Sequence, residues 1–316
     1  MAAELPRLNP TQQDNLDLLR PPMDERPSYP STLKIELRHQ LERDLVTIID
    51  RYAEATEGKQ LFVGKRQLAA VHGCQARYLA EAESKFEWSA PMARGTIVHK
   101  AIELSLHLRG QRDPSDLIDD AMARIIDREN SLGDFLSRCD EATLAELRSE
   151  TASLTAGFLD TFPPLRKGWR PATEVSKRIE LCDDHLVLAG KFDLTLGMPS
   201  DTTAGRVIID IKTGGNSGEH RQDLRFYALI ETLVTGVPPL AIATHYVESG
   251  RLEREQVTEA MLTSTLKRTI DGVATLAQLA IDQSQPSYKP GPGCRWCPAF
   301  AKCTTGQAWV SEDDAW

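Results

Sequence analysis

The apolar positions Leu33, Leu37, Leu41, Leu45, Ile48, Ile49 and Tyr52 recur three or four residues apart, which predicts a helix from Ser31 to about Ala55. Ser31 and Thr32 stand at its start as candidate caps. Ahead of it, residues 1–30 are polar and proline-rich and are expected as a mobile or loosely docked leader. A second helix is expected over Lys65–Glu83 and a third around Ile97, Val98, Ala101, Ile102 and Leu104. Residues 113–162 read as two or three further amphipathic helices, an insert that ends before Pro163-Pro164. The period then changes to that of strands: Thr173–Leu181, His185–Ala189 and Lys191–Leu196, with Cys182-Asp183-Asp184 as the first turn. A polar turn at Asp201–Gly205 leads into the β-branched run Val207-Ile208-Ile209-Asp210-Ile211, and these strands predict an antiparallel meander. A helix over Arg221–Thr235, a strand over Leu240–Val247 and a long helix over Glu255–Asp282 complete an α/β fold, a mixed β-sheet flanked by helices.

Composition narrows the setting. A chain of 316 residues can bury a full core. No apolar run approaches the roughly 20 residues that span a bilayer, and the N-terminus lacks a secretory signal, so a cytoplasmic protein with no membrane partner is expected. The net charge of −9 argues against a broadly basic nucleic-acid coat but leaves room for a local basic channel. Six cysteines, three of them bunched near the C-terminus, look less like a disulfide framework than a metal site in a reducing compartment.

The chemistry concentrates in a few short stretches. Asp210 and Lys212 are two apart, so on a strand both side chains leave one face. Leu188-Ala-Gly190-Lys-Phe-Asp193 is another apolar segment ending in an acid. On the third helix Gly95, His99 and Glu103 fall on one side. Each of these has a plain structural reading, a solvated ion pair or a helical His–Glu pair. Cys294, Cys297 and Cys303 form Cys-x2-Cys-x5-Cys in a Pro/Gly-rich turn, a spacing that lets thiolates converge; zinc and an iron–sulfur cluster are both open as occupants. No downstream Cys or His supplies a fourth ligand.

In order, these motifs resemble the RecB-like branch of the PD-(D/E)xK nucleases, in its iron–sulfur subgroup with the AddB-type subunits and the Cas-four-type exonucleases. The carrying residues are Cys74, Gly95-x3-His99-x3-Glu103, Gly190-x2-Asp193, Asp210-x-Lys212, Tyr227 and Cys294-x2-Cys297-x5-Cys303. The resemblance implies a restriction-endonuclease-like core. It makes Asp193, Asp210 and Lys212 the catalytic residues, and His99, Asp193, Asp210 and the Ile211 carbonyl the ligands of Mg²⁺ or Mn²⁺. Glu103 would orient His99. Cys74 would join the three C-terminal cysteines around a [4Fe–4S] cluster, a clamp between the two ends of the core. The family's Gln-x-x-x-Tyr helix touches the nucleic-acid strand. Here the residue four before Tyr227 is Asp223, with Gln222 one place out of register, so which of the two acts stays open. Glu174 and Glu180 lie on the first strand, where the family often has an acid.

The domain organisation this implies is a leader over 1–30, a nuclease domain over 31–288 containing the insert 113–162, and a cysteine segment over 289–316 that pairs with Cys74. The expected activity is that of a DNA exonuclease acting on single-stranded DNA or duplex ends in repair or recombination, with DNA as partner and a separate helicase, recombination or CRISPR protein as a further one. No Gly-x4-Gly-Lys-Ser/Thr loop is present, so the chain is not itself an ATP-driven unwinder. The alternatives are a non-catalytic iron–sulfur scaffold that binds nucleic acid or serves a helicase, and an iron–sulfur redox protein.

Overall fold

The computed structural model describes residues 7–20, 25–107, 112–128, 130–282 and 285–313. Its centre is a six-stranded sheet of β1 (Leu61–Val63), β2 (Ala172–Leu181), β3 (Leu186–Leu196), β4 (Val207–Lys212), β5 (Ala241–Tyr246) and β6 (Arg251–Gln256). The spatial order is β1-β3-β4-β5-β6, with β2 along the other side of β3. β2, β3 and β4 form the expected antiparallel meander. β4 and β5 are parallel, which requires a crossover, and helix α9 (Gly218–Thr235) provides it. β4 is central, and all its residues except Lys212 are buried, hence its nearly unbroken β-branched run.

Helices cover the sheet. Leu33, Leu37, Leu41, Leu45 and Ile49 of α2 (Leu33–Ala55) share one core with α9, with the sheet and with α10 (Glu259–Asp282). A second core lies apart from it. In it Ile97, Ala101 and Leu104 of α5 (Ala90–His107) meet α6 (Pro114–Ile126), α7 (Ser131–Arg138) and α8 (Glu141–Thr161). No helix among the described residues is long and apolar enough to cross a membrane.

Several elements differ from the sequence expectation. The leader contains α1 (Pro10–Leu19), docked by polar side chains: Gln12 Nε2 donates to the Leu159 carbonyl at 3.0 Å and Asn15 Nδ2 to that of Thr161 at 2.9 Å. Hydrophobic periodicity cannot reveal such a contact. The helix over 65–83 is two, α3 (Lys65–His72) and α4 (Gln75–Glu83), divided at Gly73-Cys74. The two short strands around Gly190 are one, because Gly190 does not break β3. A Cβ there would lie 2.8 Å from the Tyr227 ring, so the glycine admits an aromatic of α9 against the sheet. β1 and β6 were not anticipated. β6 reads Arg-Leu-Glu-Arg-Glu-Gln, a charged edge strand with one buried residue, Leu252, and the helix after it begins only at Glu259.

β5 carries a buried histidine between core aromatics. The His245 ring stands edge-on to Phe158 and Phe162 at centroid distances of 5.5 and 5.3 Å. Thr161 Oγ1 gives its hydrogen to the Gly157 carbonyl, so His245 Nε2, 3.2 Å away, must be the donor in that pair. Nδ1 is then a bare acceptor, with no partner among the described residues. Burial pulls the pKa from 6.5 down to about 4. The unfolded chain therefore binds a proton that the folded chain refuses. Stability is full above pH 6.5 and falls by about 3 kcal/mol as the pH drops toward 4. Urea unfolding at a series of pH values should show this slope, and His245→Leu should flatten it; an equal slope in both proteins would refute the assignment.

Candidate active site

Pairing register brings three carboxylates into one row. Leu194 faces Ile209 and Thr195 faces Ile208 across β3 and β4; continuing that register sets Asp193 against Asp210. On the other side Thr173 faces Leu194 and Val175 faces Phe192, which sets Glu174 of β2 against Asp193. Glu174 has a φ of +54°, a left-handed conformation rarely adopted by a glutamate inside a strand. Like charges opposite one another on adjacent strands repel. The row is therefore tolerable only with cations beside it, and the protein supplies several.

Lys212 lies 2.7 Å from Asp210 Oδ2, and Lys65, the first residue of α3, lies 3.3 Å from Oδ1. Asp210 is only 1% exposed. Burial alone would raise its pKa, but the two ammonium groups override burial and hold it below the ordinary value. Asp193 goes the other way: burial pushes it up, Asp210 adds to the rise, and His99 offsets only part. The Ile211 N–H donates to Asp193 Oδ2 at 2.8 Å. That bond fixes the carboxylate so that Oδ1 points to His99 Nδ1, 3.6 Å away. Lys191 pairs with Glu174 at the open end of the row.

His99 reaches this row from α5. A Cβ on Gly95, one turn earlier, would meet Thr213 Oγ1 at 3.3 Å, so the glycine lets α5 lie against the end of β4. One donor atom each from His99, Glu174 and Asp193 fall within 4.8 Å of one another. An imidazole and two carboxylates from three elements are a donor set suited to a divalent cation of the Mg²⁺ or Mn²⁺ type. Asp210, expected in the same set, is instead clasped by two lysines. Ile211, expected to offer its carbonyl to the metal, donates its N–H to Asp193. Glu103, expected to orient His99, gives both oxygens to Lys100 at 2.9 and 2.8 Å.

Lys65 had no signal in the sequence. It also lies 3.5 Å from Asp223 and 5.1 Å above the Tyr227 ring. Although burial disfavours its charge, Asp210, together with Tyr227, Asp223 and Asp193, raises its pKa. Asp223, the in-register residue, pairs with Lys65, and both line a narrow cleft together with Gln222, Arg268 and Thr269. Tyr227, expected on a face touching nucleic acid, is 3% exposed, and burial lifts its hydroxyl to about 12. Arg221 and Arg225 both clasp Glu255. Of the two strand glutamates, Glu174 enters the site and Glu180 pairs with Arg178 on the surface.

The C-terminal segment lies beside Cys74. Ala76 N–H donates to the Ser287 carbonyl at 3.3 Å, Gln75 Oε1 accepts from Ser287 N–H at 2.8 Å, and Arg77 reaches the Gly293 carbonyl at 3.3 Å. The Sγ atoms of Cys294 and Cys303 each lie 3.4 Å from where a Cβ on Gly306 would sit. Backbone N–H groups of Gly291 and Gly306 point at these sulfurs, at 3.4 and 3.3 Å. Yet no three cysteine sulfurs of the described residues come within 4.8 Å of one another. Four thiolates about 2.3 Å from one zinc would stand about 3.8 Å apart. A preformed tetrahedral thiolate cage is therefore not what the chain builds here.

The sequence matches the PD-(D/E)XK nuclease superfamily over residues 66–304, about three quarters of the chain. The protein belongs to that superfamily. The match spans the carboxylate row, Lys212 and all four cysteines of the motif, Cys74, Cys294, Cys297 and Cys303. No curated protein matches. Among solved structures, a candidate exonuclease from Eubacterium rectale aligns with 12% identity and a TM-score of 0.43, covering 76% of this chain and 87% of its own. SSO0001 aligns with 14% identity and a TM-score of 0.31, covering 66% of this chain and 95% of its own. Likeness this distant adds nothing to the superfamily match.

Proposed function

We propose that this superfamily member is a metal-dependent DNA nuclease of the RecB-like, iron–sulfur-containing branch, acting as an exonuclease. The observation that carries the reading is the convergence of His99, Glu174 and Asp193 beside the Asp210–Lys212 pair. A divalent cation held by that donor set would supply Lewis-acid stabilisation of the phosphate and a more acidic bound water. The chain's own groups do the rest. Asp193, with one oxygen fixed by the Ile211 N–H, presents the other to the cation side. Lys212 aims an ammonium at the attacked phosphate and at the water, offsetting charge as the P–O bond to the leaving oxygen breaks. Lys65 shares with Lys212 the neutralisation of Asp210.

The N–H···S contacts and the seam between Cys74 and residues 285–293 favour a thiolate-bound group. Hydrogen bonds to ligating sulfurs tune and stabilise iron–sulfur centres. In a [4Fe–4S] cluster each thiolate binds a different iron, so the four need not crowd as they would around one zinc.

The test is cleavage of end-labelled single- and double-stranded DNA by protein purified without oxygen. Cutting should require Mg²⁺ or Mn²⁺ and stop in EDTA, with label released as mononucleotides or short fragments. Metal analysis of the same sample should find about four irons per chain and little zinc, and Cys74→Ala should lose them. A cluster-loaded protein that binds DNA and never cuts it would overturn the nuclease reading, and zinc in place of iron would overturn the cluster.

A further inference from the structure

Glu174, the outer end of the carboxylate row, and His99 line one cleft, and a second cleft adjoins it at Lys191. The first cleft runs from His99 and Glu174 to the helical insert and is lined by Trp88, Arg124, Arg128 and Lys191. The other continues from Lys191 across β2 and β3 past Phe62 and Arg178. Lys191, which pairs with Glu174, belongs to both.

Charge in the first cleft is not internally balanced. Its glutamates are already engaged, Glu103 by Lys100 and Glu174 by Lys191. Arg124 and Arg128 are exposed, and neither forms an ion pair among the described residues. Two uncompensated guanidinium groups on a chain of net charge −9 call for an anion from outside. Aromatic rings stand at both ends. Trp88 is held by an Nε1–H bond to Ser131 Oγ at 3.0 Å, with the half-exposed Phe86 edge-on to it. Phe62, 50% exposed, lies under the Arg178 guanidinium. Alternating cations and aromatic faces are what single-stranded nucleic acid requires, phosphates for the first and unstacked bases for the second.

We propose that one DNA strand threads both clefts, with the scissile phosphate over the carboxylate row, bases stacked on Trp88 and Phe62, and phosphates held by Arg124, Arg128 and Lys191. The helical insert is then one wall of the strand's path and makes the protein select single strands. This rests on the nuclease reading for the position of the scissile bond, but its test does not.

Binding of labelled single-stranded DNA, duplex DNA and single-stranded RNA to the full chain would be followed by fluorescence anisotropy in EDTA, so that nothing is cut. Wild type should prefer single-stranded DNA over the duplex and over RNA. Arg124→Gln/Arg128→Gln should weaken it about tenfold and lower the salt slope of log K by about 0.7 for each lost phosphate contact. Trp88→Ala should weaken it by a similar factor and Trp88→Phe should restore it, with melting curves confirming the fold. Unchanged affinity in both the arginine and tryptophan variants overturns the path, even in an active nuclease. Preference for the duplex or for RNA also overturns it. Loss of binding in the variants supports it even if no cleavage is ever seen.

Discussion

Lys212→Ala is expected to cut the rate of phosphodiester cleavage at saturating DNA by at least about a thousandfold, equivalent to roughly 4 kcal/mol of lost transition-state stabilisation, with little change in DNA affinity. The charge that Lys212 offsets at the phosphate grows as the phosphorane develops, so its loss falls on kcat more than on binding. The fold should survive. Asp210 is buried, but Lys65 stays 3.3 Å from its other oxygen, so the carboxylate keeps a cation when Lys212 is removed. Replacing Lys65 and Lys212 together would strand a buried carboxylate and destabilise the protein by about 3–5 kcal/mol. Single-turnover cleavage with and without Lys212, beside melting curves for the single and double variants, separates the two roles. A Lys212→Ala protein that cleaves at the wild-type rate would remove Lys212 from the chemistry.

That redundancy marks where sequence reasoning stopped. Asp193, Asp210 and Lys212 were visible because strand period and a short motif are local signals. Their row with Glu174 was not, because Glu174 and Glu180 sit on one strand with no local cue to separate them. The register of β2 on β3, with Glu174 in a left-handed conformation, makes the choice. Lys65 was invisible for a different reason: it reaches Asp210 across 145 positions of sequence, from the first turn of a helix read as one long element. Tyr227 and Gly190 were each noted for themselves, but their contact, a ring in the space of a missing Cβ, exists only after α9 docks on β3. The sheet was legible where its strands are β-branched and buried. It was lost at β1, too short to show a period, and at β6, whose charges read as the start of a helix. The polar docking of α1 through Gln12 and Asn15 runs against the rule by which helices were recognised.

The turn that joins the two catalytic strands makes the strongest claim about stability. Gly197→Ala is expected to cost about 4 kcal/mol or more, enough to unfold many domains of ordinary stability. Gly197 has a φ of +75°, which alone costs an alanine about 1 kcal/mol. The larger part is steric. A Cβ on Gly197 would lie 2.1 Å from the Gly205 carbonyl oxygen, and one on Gly205 would lie 2.0 Å from that of Met198. Both obstacles are backbone, so relief means separating the ends of β3 and β4 rather than turning a side chain. Leu196 faces Val207 at this point, and the same ladder three pairs on sets the spacing of Asp193 and Asp210. A protein that folds despite the substitution should therefore also lose cleavage, because the carboxylate row would be out of step. Gly168→Ala is the control: nothing lies within 4 Å of its Cβ, and the change should stay within about 0.5 kcal/mol. Urea unfolding of both variants decides the matter, and a Gly197→Ala protein as stable as the control would show that the turn does not set the register.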